Sequence, residues 1–379
     1  MGFSLTAEQR MVQKMAREFA RGEVLPGAAE RDRTGEFPAS ILAKLGELGF
    51  MGMMIPPEYG GAGADTVSYA LALSEIAYAC ASTAVVMSVH NSIVCESVYR
   101  FGTEEQKQRY LPSLCAGETL GAFAMTEPLA GSDPVRQETT AESDGGGWVL
   151  NGVKRFITSA KHADVFIVTA KTDPTRRHRG ISAFVVEKGN PGLRPGRSEE
   201  KLGLLASDTG DLYLENCRVG EDALLGGEGG GFALAMQGLD GGRIGISAQS
   251  VGVAQAALDA AVSYAKTREQ FGRPIGQHQG LAWILADMAT RLSAARLMML
   301  AAAAAKDAGE NYTIKASMAK LFASEMVNDV CARALQIHGG YGYTKDYPLE
   351  RYLRDARVFT IYEGTSEIQR VVISRHLLK

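Results

Sequence analysis

Gly226-Gly227-Glu228-Gly229-Gly230-Gly231 marks the place where the hydrophobic period of this chain changes, and the fold class is read from its two sides. Downstream, Ile244, Ala248, Val251, Ala254, Leu258, Ala261 and Ala265 recur at three- and four-residue intervals, the stripe of a long amphipathic helix. Leu281, Leu285, Met288, Leu292 and Ala295 trace a second helical face; Ile314, Met318, Leu321, Phe322 and Met326 trace a third. Such helices with short connections predict a bundle. Upstream, apolar residues fall in short runs bounded by turn formers: Trp148-Val149-Leu150, Val165 to Ala170, Ile181 to Val186 and Leu212-Tyr213-Leu214. Asn151-Gly152 predicts a hairpin after the first run. The glycine run has neither Walker pattern nor Rossmann spacing, so it reads as a flexible interdomain turn.

Further towards the N-terminus the pattern is helical again. Met11, Met15 and Phe19, then Ile41, Leu42, Leu45 and Leu48, carry the period, with breaks at Pro26, Pro38, Pro56-Pro57 and Gly60-Gly61-Ala62-Gly63. The Ala-rich stretch from Tyr69 to Val98 supplies two more helices. The expected order is α, β, α: an α+β multidomain chain with a helical domain over residues 1-120, an all-β domain over 121-228 and a helical bundle over 229-379.

Composition sets the class. A chain of 379 residues with 46% hydrophobic and 22% charged residues has room for a sizeable core in two or three domains. The net charge of −3 and the lack of a dense basic block argue against nucleic acid as a partner. Arg176-Arg177-His178-Arg179 is the one basic cluster, and Asp173-Pro174 before it and Gly180 after it mark a solvated loop. The five cysteines are scattered, without C-x-x-C or metal-ligand spacing to the six histidines, which points to a reducing compartment and no metal. The first residues lack the apolar stretch of a signal peptide, and no apolar run reaches membrane-spanning length. The expected location is the cytoplasm, or the mitochondrial matrix after processing in a eukaryote. Met1-Gly2 with Thr6 matches the myristoylation pattern, which is loose enough to arise by chance.

Ile361-Tyr362-Glu363-Gly364-Thr365-Ser366-Glu367-Ile368-Gln369-Arg370 sets a carboxylate between an aromatic ring and a glycine. Extended into an apolar pocket, Glu363 is a base strengthened by desolvation. The same residues also read as a helix start, with Thr365 or Ser366 as cap. The two readings are compatible, since a helix N-terminus favours anions.

This segment resembles the catalytic-glutamate signature of the acyl-CoA dehydrogenases. Gln336-Ile337-His338-Gly339-Gly340-Tyr341-Gly342-Tyr343 resembles their glycine-rich flavin contact. The likeness continues in order through Met125-Thr126-Glu127-Pro128, Gly131-Ser132-Asp133, Phe156-Ile157-Thr158, Asp240-Gly241-Gly242-Arg243 and Arg268-Glu269-Gln270-Phe271-Gly272. It implies a helical N-terminal domain, a β-barrel-like middle domain and a C-terminal four-helix bundle, with FAD between the last two. The implied reaction removes two hydrogens from the Cα–Cβ bond of an acyl-CoA thioester: Glu363 takes the α-proton, flavin N5 takes the β-hydride, and the thioester carbonyl is held by the Glu363 N–H and a flavin hydroxyl. Some relatives carry the base one residue before the arginine that matches Arg243; here that residue is Gly242.

By the same resemblance, Phe123, Met125, Thr126 and Ser132 flank the flavin ring, and Phe156, Ile157 and Thr158 cover it. Arg268, Phe271, Gln279, Gln336, His338, Gly339 and Gly340 reach the flavin of a neighbouring subunit, which implies a homotetramer. Thr365, Ser366 and Glu367 contact its adenosine half; Ser132, Asp240, Arg243, Tyr362 and Gly364 serve the acyl-CoA. Pro134 stiffens a loop that is richer in glycine and alanine in the family. Leu239 to Ile246 and Tyr341 to Pro348 look most like members that act on short straight or branched chains and pass electrons to electron-transfer flavoprotein. An oxygen-using acyl-CoA oxidase and an idle CoA-binding protein on the same fold are the competing readings. No G-x-S-x-G elbow supports a hydrolase.

Overall fold

The structure is a computed structural model that describes residues 4–378, so Gly2 of the acylation pattern lies outside the described residues. The N-terminal part is helical: α1 (Ala7–Phe19), α2 (Ala28–Thr34), α3 (Ala39–Glu47), α4 (Thr66–Ala79), α5 (Ala81–Val89), α6 (Glu96–Phe101) and α7 (Glu104–Cys115). Thr6 with Gln9 opens α1, and Thr103 with Gln106 opens α7, each as a capping box that satisfies N–H groups no helix can reach. The Ala-rich stretch breaks at Cys80, whose backbone is extended, giving the two expected helices. A π-helical turn, His90–Cys95, then carries α5 into α6.

The middle part holds β1 (Gly121–Ala124), β2 (Thr140–Ser143), β3 (Gly147–Thr158), β4 (Val165–Lys171), β5 (Ile181–Glu187), β6 (Leu193–Ser198), β7 (Thr209–Gly220) and β8 (Leu224–Leu225). They form one sheet in the order β6-β7-β3-β2-β4-β5-β8, with β1 parallel to β4, and its ends β6 and β8 are not paired with each other. Strands β4 and β5 are buried on both faces. Val165, Ile167, Ala183 and Val185 pack against Val98, Leu111 and Leu114 of the N-terminal helices, while Phe166, Val168, Phe184 and Val186 join Leu150, Leu212 and Leu214 inside the barrel-like sheet.

Asn151-Gly152 makes no hairpin. Strand β3 runs straight through it with a shift of register against β7 between Leu150 and Gly152, and a Cβ at Gly152 would stand 2.4 Å from the Thr139 hydroxyl. The glycine is there for close approach within a bulge. The hairpin sits instead at Asp144-Gly145-Gly146, where Ser143 pairs with Trp148 and Gly145 has φ 85°. The Gly226 to Gly231 run is also not a loose linker: the Gly229 N–H donates to the Ser182 hydroxyl at 2.9 Å, and a Cβ at Gly231 would meet the Ser182 backbone at 2.3 Å. Its glycines let the chain cross β5 in contact.

The C-terminal part comprises α8 (Gly231–Thr267), a small hairpin of β9 (Glu269–Gln270) and β10 (Arg273–Pro274), α9 (Gln279–Asp307), α10 (Thr313–His338), α11 (Leu349–Ala356) and α12 (Ser366–Leu377). Helices α8, α9 and α10 pack on one another and α12 packs on α10, completing the bundle. Gly238, Gly241, Gly245 and Gly252 form a ridge on α8 that faces the N-terminal helices; a Cβ at Gly252 would stand 2.2 Å from the Ser74 carbonyl oxygen on α4. One hydrophobic core therefore runs unbroken from α1, α4 and α5 into the bundle. Within α10 the deepest positions are Ala316, Ala319, Lys320, Ala323 and Val327 along with Met326, whereas Ile314, Met318, Leu321 and Phe322 are half-buried. The small side chains among them let α10 lie close to α8.

Candidate functional site

Glu363 sits on a two-residue left-handed turn between α11 and α12, with φ 56° at Glu363 and 85° at Gly364. Such a φ is rare for a residue with a side chain and marks a held conformation. The turn is fastened through its carbonyls. Gln369 Nε2 donates to the Glu363 oxygen at 3.2 Å and to the Gly364 oxygen at 2.9 Å, and Lys320 Nζ donates to the Gly364 oxygen at 2.7 Å. Thr365 caps α12 by accepting from the Ile368 N–H, so the helix-start reading is realised alongside the turn. The Glu363 N–H has no acceptor among the described residues.

The carboxylate points at α8. A Cβ at Gly242 would stand 2.3 Å from Glu363 Oε2, so Gly242 supplies the hollow that the carboxylate fills. The residue as a whole is half-buried, but Oε2 is enclosed and has no hydrogen-bond partner. Burial pushes its pKa up to about 7 against the opposing charges of Lys320 and Arg243. Tyr362, before it, stacks on Phe359 and donates to Gln249 Oε1 at 2.6 Å, while Gln249 Nε2 donates to the Ala81 carbonyl at 2.7 Å. That chain ties the turn through α8 to the start of α5. One helical turn beyond Gly242, Gly245 lies against Ser88 and Tyr69, whose hydroxyls share a hydrogen bond of 3.1 Å.

Asp240 and Arg243 form an i, i+3 ion pair that is largely buried. Asp240 also accepts from Thr313 Oγ1 at 2.6 Å and Arg243 donates to Ser317 Oγ at 3.3 Å, locking α8 to α10. Burial raises the Asp240 pKa against Arg243 and the Thr313 hydroxyl. Arg243 Nε is enclosed without a partner.

The first set of expected flavin residues is assembled by strand pairing. Phe123 lies on β1 beside β4, and the loop after it is drawn onto β3 because the Arg155 N–H donates to the Thr126 carbonyl at 2.8 Å. Phe156 is 57% exposed at φ 58°, Ser132 is exposed and Thr158 half-exposed, whereas the Ile157 side chain belongs to the sheet's own core. The second set is brought together elsewhere: Arg268 lies over the Tyr341 ring at 5.7 Å, and His338 stacks on Tyr264 at 4.3 Å with its Nε2 enclosed and unpartnered. Gln279, Gln336, Gly339, Gly340 and Glu367 are exposed, and Ser366 is buried with an unpartnered hydroxyl. Phe271 is 93% exposed at φ 56° on the β9–β10 hairpin.

The residues fit a flavin dinucleotide: an exposed aromatic plane, free hydroxyls, a guanidinium without an ion pair among the described residues, and open backbone at Gly131, Gly339 and Gly340, where a Cβ would meet nothing within 4 Å. One chain does not bring the two sets together. Arg268 follows Gly242 along α8 by about 39 Å at ~1.5 Å per residue. Lys320, Gln369 and Gln249 are parts of the site that the sequence reading missed. Lys320 had one signal, its place among Ala316, Ala323 and Val327 on an otherwise apolar face.

Among the described residues no cluster of His, Cys, Asp and Glu is arranged to hold a metal, and no helix is long and apolar enough to cross a membrane. Three family models match in chain order: the N-terminal domain of acyl-CoA dehydrogenase at residues 6–118, its middle domain at 122–217 and its C-terminal domain at 229–378. A short-chain specific acyl-CoA dehydrogenase of Clostridium acetobutylicum is 48% identical, with 100% of each chain covered. A chain from structural work on the electron transferring flavoprotein of Acidaminococcus fermentans superposes with a TM-score of 0.99 at 48% identity, covering 100% of both chains. The butyryl-CoA dehydrogenase of Megasphaera elsdenii superposes with a TM-score of 0.98 at 41% identity, again over 100% of each.

Proposed function

Because this chain belongs to the acyl-CoA dehydrogenase family and is an FAD-dependent oxidoreductase, we propose that Glu363 is the base of a short-chain acyl-CoA dehydrogenation. The observation that carries the reading is the enclosed, unpartnered Glu363 Oε2 on a held turn. An enclosed carboxylate oxygen that no protein donor meets is a stronger base than one in solvent, and its raised pKa keeps it near the point of exchange at neutral pH. The unspent Glu363 N–H on the same turn supplies a donor for the thioester carbonyl, so one residue both removes the α-proton and steadies the charge that develops. Bound FAD supplies the acceptor for the hydride that leaves the β-carbon. Phe123, Met125, Thr126, Ser132 and Phe156 to Thr158 would hold its ring, and Thr365 to Glu367 its adenosine half.

Gly245, one helical turn beyond Gly242, packs tightly on the Ser88 and Tyr69 hydroxyls, and this close packing beside the carboxylate supports a short acyl chain. The names of the Clostridium and Megasphaera relatives support the same choice, and the Acidaminococcus likeness supports electron-transfer flavoprotein as the electron acceptor. The length of α8 supports assembly: Arg268, Phe271, Gln279 and Gln336 to Gly340 stand too far from Glu363 to serve the same active site and would reach a neighbour's flavin in a homotetramer. A sedimentation measurement that found a monomer with stoichiometric FAD would overturn the assembly. The substrate is tested by scoring a panel of acyl-CoAs for anaerobic flavin bleaching. Butyryl-CoA or a short branched analogue should give the highest kcat/KM and palmitoyl-CoA a far lower one; a preference for long chains would remove the short-chain reading and leave the reaction class intact.

A further inference from the structure

The Glu363–Gly364 turn is held in part by a residue that lies on none of the segments expected to carry the chemistry. Lys320 is 0% exposed in the N-terminal half of α10, and its ammonium donates to the Gly364 carbonyl at 2.7 Å. A buried ammonium has three donors and a large desolvation cost, and in an ordinary core it is met by a carboxylate. Lys320 forms no ion pair among the described residues; its charge is faced by Glu363 and Arg243, and by Glu367 on α12 and Glu325 on its own helix. Glu363 has the mirror-image deficit, an enclosed oxygen with no donor. A lysine kept at this cost without a direct counterion has a task beyond packing.

We propose that Lys320 is a positioning residue for the Glu363 base, its ammonium fixing the left-handed turn through the Gly364 carbonyl and its charge facing the carboxylate across that peptide. A methylene chain of the same length would fill the space and do neither. Without the clamp, Gln369 is the one side chain among the described residues left holding the turn's carbonyls, and the carboxylate and the Glu363 N–H lose their fixed relation. The proposal rests on Glu363 being the base, and the experiment separates the two.

Lys320→Met and Lys320→Gln are made in the FAD-loaded enzyme, alone and with Glu363→Gln. Limiting rates of anaerobic flavin bleaching by butyryl-CoA are followed against pH, and thermal melts and bound FAD are recorded for all. Burial lowers the Lys320 pKa to about 8, so the comparison is made between pH 7 and 8, where the base is largely ionised and the ammonium is still present; there Lys320→Met should retain FAD and lose about tenfold or more in limiting rate. Lys320→Gln, which keeps a donor and removes the charge, should recover most of that rate while its pH profile moves upward. The shift in Tm caused by Lys320→Met should be more favourable in the Glu363→Gln background, where the attraction between the two charges is already gone. An unchanged limiting rate in Lys320→Met, or an equal shift in Tm in both backgrounds, overturns the proposal. If Lys320→Met does not fold, Lys320→Gln decides through its pH profile, and an unmoved profile counts against. Full bleaching by Glu363→Gln would remove the base itself, while the melts still report whether Lys320 and Glu363 are coupled.

Discussion

Two of the lysine–glutamate couples among the described residues, one in the middle domain and one in the bundle, are built in opposite ways. In the middle domain, Lys154 and Glu127 are in direct contact at 2.7 Å with side chains 0% and 3% exposed. Every oxygen there is met: Glu127 accepts from the Glu138 and Thr139 N–H groups as well as from Lys154, and Lys154 also reaches the Met125 carbonyl and Gln137 Oε1, both at 3.2 Å. Burial alone would push Glu127 up, but Lys154 and the backbone donors outweigh it and hold its pKa below the ordinary range. In the bundle, Lys320 and Glu363 face each other without touching, one carboxylate oxygen is left bare, and the carboxyl rises to about 7. A satisfied couple fixes a loop; an unsatisfied one holds reactivity in reserve. The two glutamates differ in how many donors meet the carboxylate: Glu127 is met by Lys154 and two backbone N–H groups, and Glu363 Oε2 by none.

The largest expected effect tests that reserve. Glu363→Gln should keep FAD and acyl-CoA binding and lose about 10²–10⁴-fold in the rate of anaerobic bleaching, the range a general base contributes. A bleaching rate near that of the native enzyme in stopped-flow would place the base elsewhere. The satisfied couple should respond in stability instead. Glu127→Ala strands a buried ammonium and should cost about 3–5 kcal/mol of unfolding free energy in a urea titration, whereas a loss at the level of a surface pair would show that Lys154 finds other partners.

The smallest effect is the most discriminating, because the two glutamates have opposite pH signs. Glu363 is raised in the folded state, so the stability it contributes is fully present below the ordinary carboxylate pKa and is lost as pH rises through about 7. Glu127 is lowered, so its contribution is present above the ordinary value and is lost as pH falls through its depressed one. The bleaching rate, which needs the ionised base, should increase roughly tenfold between pH 6 and 8. Over the same interval the Tm of Glu363→Gln should gain on that of the native protein; parallel melting curves would mean that the carboxyl is not desolvated.

Much of this was legible in the sequence because the signals were periodic or local. The stripe from Ile244 to Ala265 is buried as read, and the break at Cys80 gives two helices as the Ala-rich stretch suggested. Asn151-Gly152 misled because the dipeptide that favours a tight turn also suits a bulge, and the choice was made by Thr139 on the neighbouring strand. Lys154 and Lys320 were passed over for a different reason. Lysine is seldom fully buried, so its default reading is a surface residue, and the partners that reverse it come from segments far away in the chain. Glu363 could be proposed from its neighbours and Gly242 singled out by the resemblance; how the lysine and the glutamine shape the surroundings became visible through contact.

The hollow at Gly242 has a consequence for descent. A carboxylate can be delivered to that volume from the turn, as here, or from a side chain grown directly on α8 at position 242, because the absent Cβ would point straight at Glu363 Oε2. Two distant places in the chain thus share one address. An ancestor could move its base between them by a paired exchange of glutamate and glycine, with the fold, the cofactor contacts and the path of the proton left where they were, so lineages on this scaffold need not agree on which residue is catalytic in order to run the same reaction.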